Sequence, residues 1–340
     1  MKIISTGSQL SVPLRLENVD HPNEMQLNTL KFSGYAQFWK EPGSIREMAG
    51  IAAKKALLKA RIHPEDIGFI VAGQSGVPDY IGIDFACQVG AELSCKDIRT
   101  INIVEGCNSG ISVWEHAASL LEKQPIDKIG LVVVAQRISE AHQDRFGLMN
   151  AILSDGAAAA VVAPEHFEMD GSALHYLGAE DISDCRFVDM MRVEHGGGMQ
   201  PYISEAFDAR YDKLGRERIA DIYNFDADDL NDFLTLRADN NINIIHKVIS
   251  KSKKKIENPF LIQTLEGLQS IKILCAKLNI PTDRSNLELL SELGHVGCAD
   301  LLISLDFLVD REVIKPGDDI IMSTISTGLK WGSAIFHYHK

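Results

Sequence analysis

No window of this 340-residue sequence approaches the run of about 20 apolar residues that a membrane-spanning helix needs. The opening stretch, MKIISTGSQLSVPLRLENVD, has one Lys and a short apolar segment, without the long apolar core and small-residue cleavage site of a secretory leader. A cytoplasmic location is therefore expected. There is no CxxC pair and no His cluster at zinc-binding spacing, so no structural metal is expected. The six cysteines, Cys87, Cys95, Cys107, Cys185, Cys275 and Cys298, then read as reduced thiols, most of them small buried hydrophobes. Positive charge is scarce as well. Lys and Arg number 34 against 47 Asp and Glu, a formal net charge of −13, which argues against general nucleic-acid binding. An HGGG stretch at 195–198 has no GxSxG partner, so a loop is expected there and not a serine-esterase oxyanion motif.

What is present is an alternation of short β-rich and longer helical segments. Strands are expected at 67–73, 98–104, 129–136, 157–164, 259–265, 318–326 and 333–339. Helices are expected at 44–62, 83–93, 109–123, 228–251, 266–279 and within 298–314. This rhythm indicates α/β layering around a largely buried sheet. The segment after 298 is similar to that after 109 in length and in following a Gly-rich turn, which points to two similar α/β halves, 1–168 and 169–340. The acidic, Gly- and Tyr-rich stretch at about 180–228 reads as an excursion covering the core or a substrate entrance. The basic run Lys251, Lys253, Lys254 and Lys255 reads as a solvated helix end. Its rival reading is a patch for an acidic partner.

The segment INIVEGCNSGISVWEHAASLLE places Cys107 after a β-run and Gly106, with a helix beginning next. A tight turn there exposes the thiol and aims the helix N-terminus at the sulfur, which favours the thiolate and makes Cys107 a candidate nucleophile. Gly106 and Gly110 allow close approach of backbone and substrate. A buried structural Cys is the competing reading of the spacing alone.

Six segments in order carry a resemblance over nearly the whole chain: IISTGSQL, ALLKARIHPEDIGFIVAGQSGVPDY, IDFACQVGAEL, VEGCNSG, ILSDGAAAAVV and IKPGDDIIMSTISTGLKWGSAIF. Together they resemble the β-ketoacyl-acyl-carrier-protein synthase III family of the thiolase superfamily. The resemblance implies a thiolase fold, two similar α/β halves forming a layered αβαβα core, with Cys107 at the family's catalytic cysteine. It also implies a homodimer built through the sheet beside the nucleophile helix. Nothing in it calls for a permanently bound cofactor; the phosphopantetheine thioester of an acyl carrier protein or CoA is the implied substrate.

Two family positions differ here. Condensing members have a His in a PHQAN-like motif, where this chain reads Gln263-Thr264-Leu265-Glu266-Gly267. They also have an Asn in a GN motif, where this chain reads Gly294-His295-Val296-Gly297-Cys298-Ala299-Asp300. The second pattern resembles the divergent synthase III-like acyltransferases with a Cys-His-Asp set. By that resemblance His295 is the base and Asp300 orients it. Chemistry agrees, because moving an acyl group to an O, N or S acceptor requires removing a proton, which imidazole does and Asn does not. The resemblance assigns the oxyanion hole to the backbone of Cys107 and the turn Ser326-Thr327-Gly328. The side chains of Ser326 and Thr327 read as narrowing the site, bonding the acceptor or merely filling space, and Thr264, in place of the condensation histidine, is counted among the substrate residues. Trp39 falls near the family's adenine-stacking aromatic. His116, His142, His175, His195 and His246 carry no motif and read as ordinary surface or packing residues. Glu105 reads as either a buried charge beside the nucleophile or a solvent-facing one. The expected function is acyl transfer from a carrier-protein or CoA donor to a small-molecule or carrier acceptor, in specialised metabolite biosynthesis. A condensing synthase and a silent subunit of a heterodimer are the rivals.

Overall fold

The computed structural model describes residues 1–123, 128–148, 150–169, 171–212 and 215–339. The first half of the chain runs β1 (Lys2–Gln9), β2 (Val12–Arg15), α1 (Glu24–Phe32), β3 (Gln37–Lys40), α2 (Ile45–Ala60), β4 (Ile67–Ser75), α3 (Phe85–Glu92), β5 (Arg99–Ile103), α4 (Ser109–Leu121), β6 (Ile129–Gln136) and β7 (Gly156–Ala163). The second runs β8 (Ala173–Ser183), α5 (Gly215–Tyr223), α6 (Ala227–Lys251), β9 (Pro259–Gln263), α7 (Leu268–Leu278), α8 (Leu290–Leu293), α9 (Asp300–Asp310), β10 (Asp319–Ser326) and β11 (Lys330–His339).

Nine strands form one ladder in the order β5-β4-β6-β7-β1-β8-β11-β10-β9. The two halves of the ladder meet at a short antiparallel join, where Lys2 pairs with His175 and Ile3 with Leu174. Helices α2 and α3 cover the outer face of the first half, and α6 covers β8, β10 and β11 of the second. Between them lie α4 and α9, in contact with strands of both halves and with each other. The layers thus run α, β, α, β, α, and the fold is a thiolase-type α/β arrangement.

The continuous apolar runs of β4, β6 and β7 follow from this layering, since a strand covered on both faces has no need of polar positions. Along β7, Ala157, Ala159, Val161 and Ala163 face the outer core with α2, while Ala158, Ala160 and Val162 face the inner one. The period of two distributes one uniform run between two cores. Small side chains let α2 come close: a Cβ on Gly7 would lie 2.6 Å from the Ala56 nitrogen.

The stretch after β8 is an excursion, as its composition suggests, but β8 itself had no sequence signal. LHYLGAEDIS lacks apolar alternation because most of its side chains are only half buried. It pairs with β11 from Ala173 to Ser183. Within the excursion, Phe187 packs edge-on to Phe233 of α6 at 4.9 Å between ring centres and to Tyr223 of α5 at 5.5 Å. Edge-to-face aromatic pairs of this kind anchor a segment otherwise poor in apolar residues.

Candidate active site

β5 ends at Ile103, and the chain turns through Glu105, Gly106 and Cys107 into α4. Gly106 has φ +55°, and a Cβ there would fall 2.5 Å from Ser326 Oγ and 2.7 Å from Thr327 Oγ1. Only glycine satisfies both the left-handed backbone and that crowding. Ser109 fastens the turn, accepting from the Glu105 amide at 2.9 Å and donating to the Ile103 carbonyl at 3.2 Å. A Cβ on Gly110 would sit 2.4 Å from the Cys298 carbonyl, so the start of α4 presses on the turn that leads into α9.

That turn carries the second group. His295 Nε2 lies 3.5 Å from Cys107 Sγ, and His295 Nδ1 lies 2.6 Å from Asp300 Oδ2. The His295 amide donates to the Ile152 carbonyl at 2.7 Å, and its carbonyl accepts from Ser154 N at 2.8 Å and Gln136 Nε2 at 3.1 Å. The imidazole is thereby fixed from the backbone outward. Gly294 (φ +68°) and Gly297 (φ +56°) flank it in left-handed conformations. A Cβ on Gly297 would collide with Gln136 Oε1 at 1.9 Å and Ser75 Oγ at 2.3 Å.

Asp300, the first residue of α9, is fully buried and accepts two further bonds, from Leu265 N at 2.9 Å and Val296 N at 2.5 Å. Both carboxylate oxygens are occupied by donors, which suits an anion in a dry site. Burial alone lowers the His295 pKa, but the Asp300 carboxylate and then the Cys107 sulfur reverse this and raise it well above the ordinary histidine value. The free site therefore favours imidazolium. Cys298, three residues on, is a different thiol: burial pushes it up to about 12, which keeps it protonated and inert.

A cavity of about 1210 Å³ opens onto these groups. Gly106, Cys107, His295, Ser326, Thr327 and Leu329 line its reacting end. Met190, Ile219, Phe233 and Leu234 make apolar wall, and Arg237 and Glu266, ion-paired to each other, make a polar part of it. Residues of the excursion thus form part of the cavity wall. Ser326 turns its hydroxyl onto the Glu105 carbonyl at 2.6 Å, and Gly328 lies between two lining residues with φ +117°. Thr264 is buried outside the lining, with its hydroxyl 2.6 Å from Thr324 Oγ1, so it is not placed to touch a substrate.

Residues 260–338 match a family model described as 3-oxoacyl-[acyl-carrier-protein (ACP)] synthase III C terminal. Over 342 aligned residues, covering 99% of each chain, the sequence is 25% identical to β-ketoacyl-[acyl-carrier-protein] synthase III of Aquifex aeolicus (strain VF5). Among solved structures it is similar to ChlB3, described as an acyltransferase, with TM-score 0.82, 22% identity, and 100% of this chain and 98% of that one covered. It is also similar to a variant of OleA from Xanthomonas campestris, with TM-score 0.74, 19% identity, and 99% and 98% covered. Residues 260–338 thus match the synthase III family model, and the chain as a whole shares its fold with these solved structures.

Other residues singled out in the sequence take the following places in the structure. His142 and His195, read as ordinary surface or packing residues, line the cavity. His142 Nδ1 is 2.7 Å from Ser139 Oγ, and the His195 ring packs on Phe207 at 4.4 Å between centres. Neither has a motif because loop residues that meet only through tertiary structure leave none. Trp39 donates its indole N–H to the Glu292 carbonyl at 2.9 Å and is tied into the small β2–β3 sheet. Asp155 is buried in a two-bond pair with Arg145, at 2.9 and 3.1 Å, and also accepts from the Ile138 and Glu41 amides. Of the basic run, Lys251 pairs with Glu180, Lys254 with Asp319 and Lys255 with Glu257. No group of three or more His, Cys, Asp or Glu that could hold a metal occurs among the described residues, and no helix of theirs is long and apolar enough to cross a membrane.

Proposed function

We propose that the protein is an acyltransferase that carries an acyl group as a thioester on Cys107 and delivers it to an O, N or carrier-thiol acceptor. The observation that carries this reading is the line of contacts from Cys107 Sγ to His295 Nε2 (3.5 Å) and from His295 Nδ1 to Asp300 Oδ2 (2.6 Å). In the first half-reaction the Cys107 thiolate attacks the carbonyl carbon of an acyl-carrier-protein or CoA thioester. The new C–S bond forms, the old one breaks, and the departing thiolate takes a proton from the His295 imidazolium. In the second, His295, now neutral, removes the acceptor's proton as the acceptor attacks the acyl-enzyme and Cys107 leaves as thiolate.

Acylation itself prepares His295 for that second task. The thiolate is one of the charges that raise its pKa, and a thioester carries none. Once Cys107 is acylated, only Asp300 remains to hold the proton, so the imidazole becomes a better base when one is required. Asp300 fixes the tautomer with Nδ1 protonated, leaving Nε2 toward the sulfur. Thr264, at the position of the condensation histidine, is bonded to Thr324 and does not reach the cavity. That placement favours transfer over decarboxylative condensation.

The same reading includes a donor drawn from acyl carrier protein or CoA, no permanently bound cofactor, a homodimer, a cytoplasmic setting and a place in specialised metabolite assembly. It divides the chain between β7 and β8, near 168, into a nucleophile-bearing half and a half that carries the excursion. Intact-protein mass spectrometry tests it. Wild type should gain the acyl mass from a suitable thioester, Cys107→Ala should not, and His295→Ala should load but fail to discharge to acceptors. Loss of carbon dioxide on discharge by a malonyl donor would make the protein a condensing synthase instead. A wild type that never loads would favour a silent subunit.

A further inference from the structure

The nucleophile turn and the β10–β11 turn come from opposite halves of the chain, more than 200 residues apart, yet they must hold backbone N–H groups in register around one carbonyl oxygen. Glu105 is bonded to both. Its backbone carbonyl accepts from Ser326 Oγ at 2.6 Å. Its carboxylate accepts from Lys330 Nζ at 2.7 Å, from Ser112 Oγ at 2.6 Å and from Asn108 Nδ2 at 3.0 Å. Ser326 and Lys330 are the last residue of β10 and the first of β11, paired with each other in the ladder, so they bracket the 327–329 turn. Asn108 and Ser112 belong to the first turns of α4. One residue therefore ties the start of the nucleophile helix to both ends of the opposing hairpin, to Ser326 through its backbone carbonyl and to Lys330 through its carboxylate.

Two further contacts limit the play between the parts. The missing Cβ of Gly106 leaves room for Ser326 Oγ and Thr327 Oγ1, which would lie 2.5 and 2.7 Å from it, so the two turns nest directly. From the other side, Leu329 and Asp184 exchange backbone bonds at 3.2 and 2.8 Å, which fixes the far edge of the hairpin turn to the start of the excursion. The Glu105 carboxylate is held ionised: partial burial works against the charge, but Lys330 and then Ser112 and Asn108 outweigh it and lower the pKa.

We propose that Glu105, acting through Ser326 and Lys330, is a positioning residue that sets the spacing of the oxyanion hole between the Cys107 turn and the 326–328 turn. It touches neither substrate nor the reacting atoms. This rests on the reading of Cys107 as the acylated residue. The hydroxyl of Ser326 is accordingly a brace between the turns and not a ligand for the acceptor. Oxyanion stabilisation depends steeply on such spacing, and a displacement on the order of 1 Å costs about 100-fold in rate.

The experiment compares two reactions of the same sulfur in the full-length protein. Acyl loading from a thioester passes through an oxyanion, whereas alkylation by iodoacetamide does not. Ser326→Ala, Glu105→Gln and Lys330→Met should each slow saturated loading by about tenfold or more, with the half-saturating thioester concentration and the alkylation rate within about twofold of wild type. Lys330→Arg, which keeps the ion pair, should recover most of the rate. Loading at the wild-type rate in Ser326→Ala and Glu105→Gln would overturn the proposal. So would a parallel fall in alkylation, which would mean that the turn had simply lost its shape. A wild type that is alkylated but takes no acyl group would instead sink the acyl-enzyme reading on which the proposal rests.

Discussion

Replacing Asp300 with Asn separates the charge at this position from its shape. The carboxylate accepts three N–H groups, Val296 on Oδ1 and both His295 Nδ1 and Leu265 on Oδ2. An amide of the same outline offers one oxygen. If that oxygen takes the Oδ2 place, the amide NH2 faces the Val296 N–H and one buried donor is stranded, at about 1–3 kcal/mol. If it takes the Oδ1 place, the NH2 faces Leu265 and donates to His295 Nδ1, which forces the proton onto Nε2. The imidazole then points a donor at the sulfur and cannot accept a proton from the acceptor. Both arrangements strand one backbone donor, so their energies are close and the inert tautomer is substantially populated.

The expected loss is therefore mainly kinetic, and discharge of the acyl-enzyme should slow by about 10³–10⁴-fold, as when the buried acid of a Ser-His-Asp triad becomes an amide. Stability should also fall, with a definite pH dependence. A histidine whose folded pKa is raised adds stability that is fully present below about pH 6.5, its unfolded value, and that disappears as pH rises through the folded value. The gap between wild type and Asp300→Asn should be widest near pH 6 and narrow as pH is raised. Urea unfolding at several pH values measures the gap, and intact-mass chase of pre-loaded enzyme measures discharge. A folded Asp300→Asn that discharges at the wild-type rate, or a stability gap that is flat with pH, would refute the assignment of His295 and Asp300 as a coupled base and orienting acid.

Two other outcomes follow from the same geometry. Gly297→Ala combines a left-handed backbone with Cβ collisions at 1.9 and 2.3 Å, so it should destabilise the fold by more than about 2 kcal/mol, seen as a lower urea midpoint. Burial works against ionisation of Asp319, but Lys254, the Glu257 amide and His337 outweigh it and hold its pKa below the usual carboxylate value. That stability is present above about pH 4 and is lost as pH falls through the folded pKa, so Lys254→Met should raise the pH of acid unfolding. Lys253→Met, its exposed neighbour, should leave the acid transition unchanged.

The legible parts of the fold were those where burial on both faces forces an unbroken apolar run. β4, β6 and β7 fall within one or two residues of their expected places, and α2, α4 and α6 do likewise, because a long periodic or wholly apolar segment admits one reading. Strands without that signal were β1, β8 and the small β2–β3 pair. Every side chain of β2 is exposed, and β8 is largely half-buried, so their pairing owes more to neighbouring backbone than to their own composition. The short join of β1 to β8, which makes one ladder of the two halves, is a consequence of how the halves sit and has no sequence counterpart.

The site shows the same division at finer grain. Cys107 was read from its place after a β-run and Gly106, and His295 and Asp300 only from the family resemblance, because a Gly-His in a loop has no chemistry of its own to mark it. Gly106, Gly294 and Gly297 adopt left-handed backbones, and at Gly106 and Gly297 a Cβ would also strike a neighbouring polar side chain. Tyr35 left no such trace. Its buried hydroxyl donates to the Leu265 carbonyl at 2.6 Å and accepts from the Gly267 amide at 2.9 Å, so it steadies the turn whose Leu265 N–H binds Asp300. It lies 230 residues from Leu265, and nothing near it in the chain marks the partnership. Ser326 and Thr264 show the converse hazard. Both were named among the oxyanion-hole and substrate residues, with the part of the Ser326 side chain left open, and in both the hydroxyl is bonded to protein, Ser326 to Glu105 and Thr264 to Thr324. A motif position fixes where the backbone goes. Whether its side chain meets substrate depends on which neighbour competes for its hydrogen bond, and that neighbour comes from elsewhere in the chain.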